Sequence, residues 1–298
     1  MARTIDERPL SNLVLYSIPA FLVLIGLEVV WAQRHPEAKG YEKRDTAASL
    51  SMGVLNVIVS AAAKFLTIPF LAWLYEHRFA DLGQPDRWWS WVVLLFAEDH
   101  SYYWFHRIHH EVRFLWAAHV NHHSSQHYNL STALRQTLLT PITGPIFWAI
   151  LPLLGYPPWM VLTAQAWSLL YQFWLHTEAI DRLGPLEWVM NTPSHHRVHH
   201  GKNVVYLDRN HAGIFIIWDR LFGTFEPEGE KVVYGLTKDI HTFNPLKIGF
   251  HELAAIAKDI ARAPGIGAKL GYVLAPPGWS HDGSTQTASQ LRDSLTSK

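Results

Sequence analysis

The sequence contains no cysteine, so any metal or redox site has to be built without thiolate ligands. It also has no net charge, because its 25 basic and 25 acidic side chains balance. This balance argues against a nucleic-acid partner, for which a basic excess is expected. The chain has neither a glycine-rich dinucleotide fingerprint nor a haem-attachment motif. Electrons for any redox reaction must therefore come from an external donor.

Four stretches of the chain have almost no charge. Residues 10–31 and 50–75 carry one charged side chain each, residues 88–97 carry none, and residues 137–175 contain neither a charged residue nor a histidine. The longer runs reach the ~20 apolar residues that a helix needs to cross a bilayer. The pattern predicts an all-α integral membrane protein with about four to five membrane helices.

The apolar stretches also predict where the membrane helices lie. We expect the first helix over residues 10–32, the second over 47–76, and the third from Trp88. Residues 137–175 are too long for one crossing at roughly 1.5 Å per residue. The sequence Leu-Gly-Tyr-Pro-Pro at 154–158 interrupts this run, because tandem proline cannot continue a helix. A helical hairpin is the expected result.

This order of helices predicts the topology. Three crossings place the loop at 34–46 and the region 106–136 on one side of the membrane, and the hairpin returns the chain to that side before His176. The same side carries more lysine and arginine in its short loops, which makes it cytoplasmic by the positive-inside rule. We therefore expect a multi-pass protein of a bacterial inner membrane or an ER-like membrane, with a cytoplasmic histidine-rich helical cap.

Histidines of that cap recur at helical spacing. His196, His199 and His200 stand at i, i+3 and i+4, the spacing that places side chains on one face of a helix. His119, His122 and His123 repeat it, and His106 and His110 form an i, i+4 pair. Clustered imidazoles without a bound ligand would lose their solvation in a protein core and gain nothing in return. Eight of them therefore predict a site for two metal ions. The spacing does not choose the metal, since neutral imidazole suits iron, zinc, copper and nickel.

The remaining parts of the chain favour ordinary structural roles. Six further histidines are interpreted as packed or surface side chains: His35, His77, His127, His241, His251 and His281. Residues 249–263 have an apolar stripe typical of an interfacial amphipathic helix, and the polar residues 277–298 are predicted to be a flexible tail. We expect a single domain over residues 1–298, with its core at about 45–255.

Two other functions fit a histidine-rich membrane protein. A metal transporter would place its ligands inside the crossing helices, and these helices lack them. A zinc hydrolase needs only three protein ligands and an open position, which eight histidines exceed. Glu98 and Asp99, at the end of the third helix, are hypothesised to orient ligand imidazoles; the alternative is that they mark where this helix leaves the lipid.

The histidine motifs and their surroundings resemble the fatty acid hydroxylase/sterol desaturase superfamily. Its pattern of HxxxH, HxxHH and HxxHH after membrane helices is matched from His106 to His200. Residues 98–107, 122–136, 172–178 and 191–201 look most like the branch that cleaves ether lipids. The resemblance spans roughly residues 45–255 and is weak at both ends.

This resemblance implies two iron ions that activate dioxygen, with zinc as a replacement in a purified sample. It makes ligands of the eight histidines above and places a ninth at His176. Glu111 resembles an essential acidic residue, for imidazole orientation or proton delivery. His109, His195 and His211 are extra to the pattern, and His211 stands where the ether-cleaving branch tends to have tyrosine.

The expected function is a membrane-bound di-iron monooxygenase that hydroxylates a lipid C–H bond. By resemblance, the carbon beside the ether oxygen of an alkylglycerol is attacked, and the product collapses to an aldehyde. A fatty-acyl, sterol or bacterial lipid is the alternative substrate. The substrate would enter from the bilayer, and the external reductant would be a protein donor or a pterin such as tetrahydrobiopterin.

Overall fold

Helices make up all the regular structure of residues 13–296, the part of the chain that the computed structural model describes. Two isolated β-bridges, Met190–Phe215 and Gly201–Tyr234, are the only strand-like pairings within these residues. The α-helices in chain order are α1 Leu13–Ala32, α2 Lys43–Glu76, α3 Trp88–Glu111, α4 Arg113–Ala117, α5 Leu130–Ala133, α6 Thr140–Thr143, α7 Ile150–Leu153, α8 Pro158–Phe173, α9 Pro193–His199, α10 Ile217–Phe222, α11 Pro245–Arg262, α12 Gly265–Leu274 and α13 Ala288–Thr296.

The first three helices follow the apolar stretches closely. The start predicted for α1 at residues 10–12 lies outside the described residues. Helix α2 begins four residues earlier than predicted, because the Glu42 carboxylate accepts a hydrogen bond from the backbone N–H of Asp45 and caps it. Among residues 13–296, α2 is the one helix that is long and apolar enough to cross a membrane.

The predicted hairpin over 137–175 is only partly right. Its break is where expected, since Gly155 has a positive φ of 93° and α8 starts at Pro158. A side chain at Gly155 would also collide with the carbonyl oxygen of Ala80, 2.3 Å from the added Cβ. The first arm, however, is no continuous helix: it consists of α6, a 3₁₀ turn over Pro145–Trp148, and α7. The prolines within this arm explain the interruptions.

A buried apolar cluster fixes α3 against α8 and thereby positions the end of α3 that carries the histidines. It contains Leu94 and Phe105 of α3, Trp148 of the 3₁₀ turn, and Met160 and Val161 of α8. Full burial of such side chains stabilises a fold by roughly 1.5–3 kcal/mol each. The histidine-bearing end of α3 is therefore held rigidly next to the residues that follow α8.

The C-terminal region differs from the prediction of a flexible tail. Helix α11 forms as expected, with the Asn244 side chain capping it, but α13 lies within the segment 277–298. Thr287 and Gln290 form a capping box, because the Thr287 N–H donates to the Gln290 side chain and the Gln290 N–H donates to the Thr287 hydroxyl. Arg292 also donates to the carbonyl of Leu207. These contacts order a segment whose polar composition suggested disorder.

Candidate metal centre

Nine buried histidines converge in two groups. In each group one ring nitrogen per residue lies within 4.8 Å of all the others. The first histidine group contains five residues: His106, His110, His119, His123 and His199. The second histidine group contains four: His122, His176, His196 and His200. All nine histidines singled out from the sequence are therefore together, including His176.

Four segments supply these side chains. Helix α3 carries His106 and His110 on its last turns, and α9 carries His196 and His199, with His200 at its C-terminal cap. Helix α9 begins at Pro193, since proline at the first helical position loses no hydrogen bond. The triplet from His119 to His123 is less regular than expected, since only a 3₁₀ turn over His122–Ser124 forms.

Each histidine triplet is divided between the two groups. On α9, His196 and His200 lie about 40° apart around the helix axis at 100° per residue, whereas His199 lies on the other side of His196. His199 accordingly joins the first histidine group, and its two neighbours join the second. The triplet at 119–123 divides in the same way, with His122 in the second group. The two groups therefore share their supporting segments.

Backbone carbonyls fix the orientation of several rings. Nδ1 of His176 donates to the carbonyl of Gln172 at 2.9 Å, and Nδ1 of His122 donates to the carbonyl of Arg135 at 3.3 Å. His199 donates likewise to Arg209 at 2.9 Å. A carbonyl oxygen can only accept, so Nδ1 carries the proton in these rings. Nε2 then presents a lone pair towards the centre of its group.

These lone pairs face one another at short range. Nε2 of His122 lies 3.2 Å from Nε2 of His176. Burial lowers the pKa of His122 to about 3 and that of His176 to about 4, so both rings are neutral at pH 7. Since Nδ1 carries the single proton of each ring, neither Nε2 has a hydrogen that could form a hydrogen bond between them. Nε2 of His110, His199 and His200 has no hydrogen-bond partner within residues 13–296. Such a donor set fits a transition-metal cation in each group.

Asp208 is a functional candidate that the sequence analysis missed. Nδ1 of His110 lies 3.2 Å from its carboxylate oxygen Oδ1. A carboxylate that accepts from Nδ1 orients the imidazole and makes Nε2 a more basic ligand. Ninety-eight residues separate Asp208 from His110, and Asp208 has a positive φ of 51°. Spacing alone gave no signal for this contact.

Two buried aspartates hold the loop that follows Asp208. The Asp99 carboxylate accepts from the N–H of Ile214 at 2.6 Å and from that of Phe215 at 2.9 Å. Asp219 accepts from the N–H of His211 at 2.8 Å. The carbonyl of His211 in turn accepts from Nδ1 of His106 at 2.8 Å. Asp99 therefore contributes to the site through the backbone of this loop.

The hypothesis that Glu98 and Asp99 orient ligand imidazoles directly is wrong. Asp99 bonds backbone N–H groups and the indole N–H of Trp218. One oxygen of Glu98 accepts from the indole of Trp148 at 3.2 Å. Both carboxylates are fully buried, so they do not simply mark the end of the lipid-facing part of α3.

A family comparison matches the part of the chain that holds both groups. Residues 91–224 match the family model described as fatty acid hydroxylase, and all nine clustered histidines lie within this range. The matched segment is therefore similar to the fatty acid hydroxylase family. It includes both histidine groups and the loop that Asp99 and Asp219 hold.

Several curated proteins are similar to this chain over most of its length. The chain is 44% identical to the alkylglycerol monooxygenase of Homo sapiens over 280 residues, an alignment that covers 93% of this chain and 62% of the relative. It is 41% identical to the Danio rerio protein of the same name, over 93% of this chain and 61% of the relative. The ornithine lipid hydroxylase OlsE of Rhizobium tropici is 26% identical, over 73% of this chain and 70% of that protein.

The chain spans about three fifths of the length of the two alkylglycerol monooxygenases. No solved structure matches it.

The other residues considered in the sequence lie outside both groups. Glu111 accepts a hydrogen bond from Nε of Arg107 at 2.8 Å and is partly exposed. His109 is buried and satisfied, since Nδ1 donates to the carbonyl of Phe105 at 2.7 Å and Nε2 lies 3.0 Å from the Thr143 hydroxyl. His195 lies 3.9 Å from the Glu187 carboxylate. Neither group contains any of the six histidines that were interpreted as ordinary packed or surface side chains.

Proposed function

We propose that this chain is a membrane-bound lipid monooxygenase that inserts an oxygen atom next to the ether oxygen of an alkylglycerol. The observation that carries the proposal is the convergence of nine buried imidazoles into two groups. Iron is the proposed metal in each group, because imidazole-ligated iron suits the activation of dioxygen. The relatives named alkylglycerol monooxygenase support the choice of substrate.

The proposed reaction is balanced in atoms and electrons. One oxygen atom of O₂ enters the C–H bond beside the ether oxygen, and the other leaves as water after two electrons and two protons are supplied. The hemiacetal formed in this way breaks its C–O bond to give a fatty aldehyde and a glycerol hydroxyl. The bound metals supply oxygen activation, and the buried histidine groups keep bulk water away from the reacting carbon.

Lipid contact is proposed for the faces of α1 and α2. The buried residues of α2 lie near its two ends, whereas Phe65 and Leu66 in its middle are 82% and 76% exposed. Leu22 and Val23 of α1 are also exposed. Apolar surface of this extent is typical of contact with a membrane. We propose a multi-pass arrangement with the histidine groups on the cytoplasmic face, so that the alkyl chain enters sideways from the bilayer.

The external reductant is proposed to approach the second histidine group. A cavity of about 870 Å³ is lined by charged and aromatic residues that include Arg197 and Tyr234. Tyr234 stacks on the buried Tyr128, with ring centroids 4.6 Å apart. Tyr128 in turn lies 5.2 Å from the ring of His200. This aromatic contact path would carry electrons from a reduced pterin such as tetrahydrobiopterin, or from a protein donor, to the metals.

Other substrates and functions receive less support. Hydroxylation of a bacterial lipid is the second candidate, because one relative is named ornithine lipid hydroxylase. Hydroxylation of a fatty-acyl lipid is supported only by the description of the matched family model, and desaturation or a sterol substrate has no separate observation in its favour. Metal transport is disfavoured because transport sites lie near mid-membrane on crossing helices. None of the nine clustered histidines lies on α1, α2 or α8, and the two on α3, His106 and His110, stand on its last turns.

Lipid analysis of membranes supplied with alkylglycerols tests the proposed reaction. We expect the chain to release fatty aldehyde in the presence of O₂ and reductant, and the variant His199→Ala to release none above background. Membranes with His241→Ala, which removes an exposed imidazole that belongs to neither group, are the control. Equal aldehyde release by the chain and by His199→Ala would refute ether cleavage, and a hydroxylated ornithine lipid in its place would favour the second candidate.

Two acidic side chains are proposed to have different roles. Asp208 orients His110 by accepting a hydrogen bond from its Nδ1–H, so Asp208→Asn should weaken metal binding by about 10- to 100-fold. Glu111 contacts Arg107 instead of an imidazole, and we propose that it delivers protons. Glu111→Gln should therefore lower turnover, by about 10²- to 10⁴-fold if this proton transfer is general acid catalysis, while the metal content stays unchanged.

Metal analysis and turnover measured on both variants distinguish these roles. Loss of metal from Glu111→Gln would show that Glu111 supports the histidines. Full metal affinity in Asp208→Asn would remove Asp208 from the site.

A further inference from the structure

His211 is a buried imidazole whose ring nitrogens have no partner. The residue is 0% exposed, and neither Nδ1 nor Nε2 makes a hydrogen bond to any residue within 13–296. Leaving a buried polar group unsatisfied costs about 1–3 kcal/mol. A ligand that binds the ring would remove this cost. The sequence alone marks His211 only as extra to the superfamily pattern.

The ring of His211 stands beside the first histidine group. Its centroid lies 5.0 Å from that of His110, and 5.7 Å from those of both His106 and His199. Pairs within the group have similar separations, such as 5.3 Å between His106 and His110 and 4.9 Å between His110 and His199. His211 thus belongs to the same layer of imidazoles, although its nitrogens fall outside the set that lies within 4.8 Å.

The backbone of His211 is held firmly in this position. Its N–H donates to the Asp219 carboxylate at 2.8 Å, and its carbonyl accepts from Nδ1 of His106 at 2.8 Å. The following residues are fixed by Asp99. These four hydrogen bonds fix the backbone around His211 and thereby pre-organise its side chain, as expected of a metal ligand.

We propose that His211 is a sixth imidazole donor to the metal ion of the first histidine group, on the side of His106, His110 and His199. This inference rests on the proposed function in one respect, namely that the first histidine group binds a metal. The alternative is that the His211 ring only packs against its neighbours. Replacing the ring by one of similar shape without nitrogens should weaken metal binding if His211 is a ligand, and should leave metal binding unchanged if it only packs.

His109 is the matched control for this substitution. It is also a fully buried histidine outside both groups, but both of its ring nitrogens have partners, the Phe105 carbonyl at 2.7 Å and the Thr143 hydroxyl at 3.0 Å. His109→Phe should therefore lower the thermal midpoint of the metal-free protein and leave metal binding unchanged. His211→Phe removes two unsatisfied nitrogens, so it should leave that midpoint unchanged or raise it.

Chelator competition on the full chain in lipid nanodiscs measures the metal affinities. We expect His211→Phe to raise the dissociation constant of one of the two metal ions by at least about 10-fold, the scale seen when groups around a metal are removed, and to leave the other unchanged. The cobalt(II)-loaded protein should show an altered visible absorption band in His211→Phe and an unaltered band in His109→Phe.

Each outcome of this experiment has a definite meaning. Equal metal affinities and equal cobalt spectra for His211→Phe and the unsubstituted chain would overturn the assignment of His211. If the unsubstituted chain itself binds no metal, the proposed function fails first. His211→Gln guards against a folding defect, because its amide keeps polar atoms at the site; it should fold and bind metal more weakly than the unsubstituted chain.

Discussion

Replacing His176 by alanine should reduce the iron content of the chain from two ions to one and abolish aldehyde release from alkylglycerols. His176 contacts two members of the second histidine group, with its Nε2 3.2 Å from that of His122 and 3.0 Å from that of His196. Removing even a group that only orients a ligand costs about 10- to 100-fold in metal affinity or activity. Loss of the ligand itself should cost at least about 100-fold in activity.

Metal analysis and the aldehyde assay check this prediction side by side. His251→Ala is the control, since His251 lies outside both groups and should retain both metals and full activity. A His176→Ala protein that keeps two metals and normal turnover would remove His176 from the centre. That result would not change the assignment of a metal to the first histidine group.

Substituting Asp45 by alanine should cause a large loss of stability. Arg135 is 1% exposed and pairs with the buried Asp45 carboxylate, while its other N–H groups donate to Ser49 and Ser124 at 3.1 Å each. Without Asp45, the guanidinium is left as an unpaired buried charge, which typically costs about 3–5 kcal/mol. The thermal midpoint should fall by about 6–20 °C.

The consequence should extend to the metal centre. The carbonyl of Arg135 accepts from Nδ1 of His122 at 3.3 Å, so displacement of Arg135 disturbs the second histidine group. Thermal unfolding in nanodiscs measures the effect. Asp81→Ala is the matched control, because Arg78 and Asp81 form an exposed ion pair at 2.5 Å that contributes little. A midpoint for Asp45→Ala as high as that of the control would contradict the account.

The long helices and most of the clustered histidines could be predicted because their signals are local. The charge-poor stretches located α1, α2 and α3, and the tandem proline located the break before α8. Histidine spacing identified eight of the nine members of the two groups, and the family resemblance added His176. It did not show that each triplet divides between the groups, because that depends on how α9 and the 119–124 segment face each other.

Contacts between distant residues explain what the sequence did not predict. Asp208 reaches His110 across 98 residues, and Asp99 reaches the N–H of Ile214 across 115, and no periodicity encodes either pair. The first arm of the predicted hairpin was misjudged because its apolar composition outweighed its prolines. The error at α13 was avoidable, because Thr287 and Gln290 have the spacing of a capping box.

The iron content of the purified chain is the decisive measurement for a centre of two metal ions. Protein produced with ample iron and purified in lipid nanodiscs would be analysed by mass spectrometry of its metals against a quantified chain concentration. We expect two metal ions per chain, one for each histidine group. A ratio of one or zero would refute the two-metal centre.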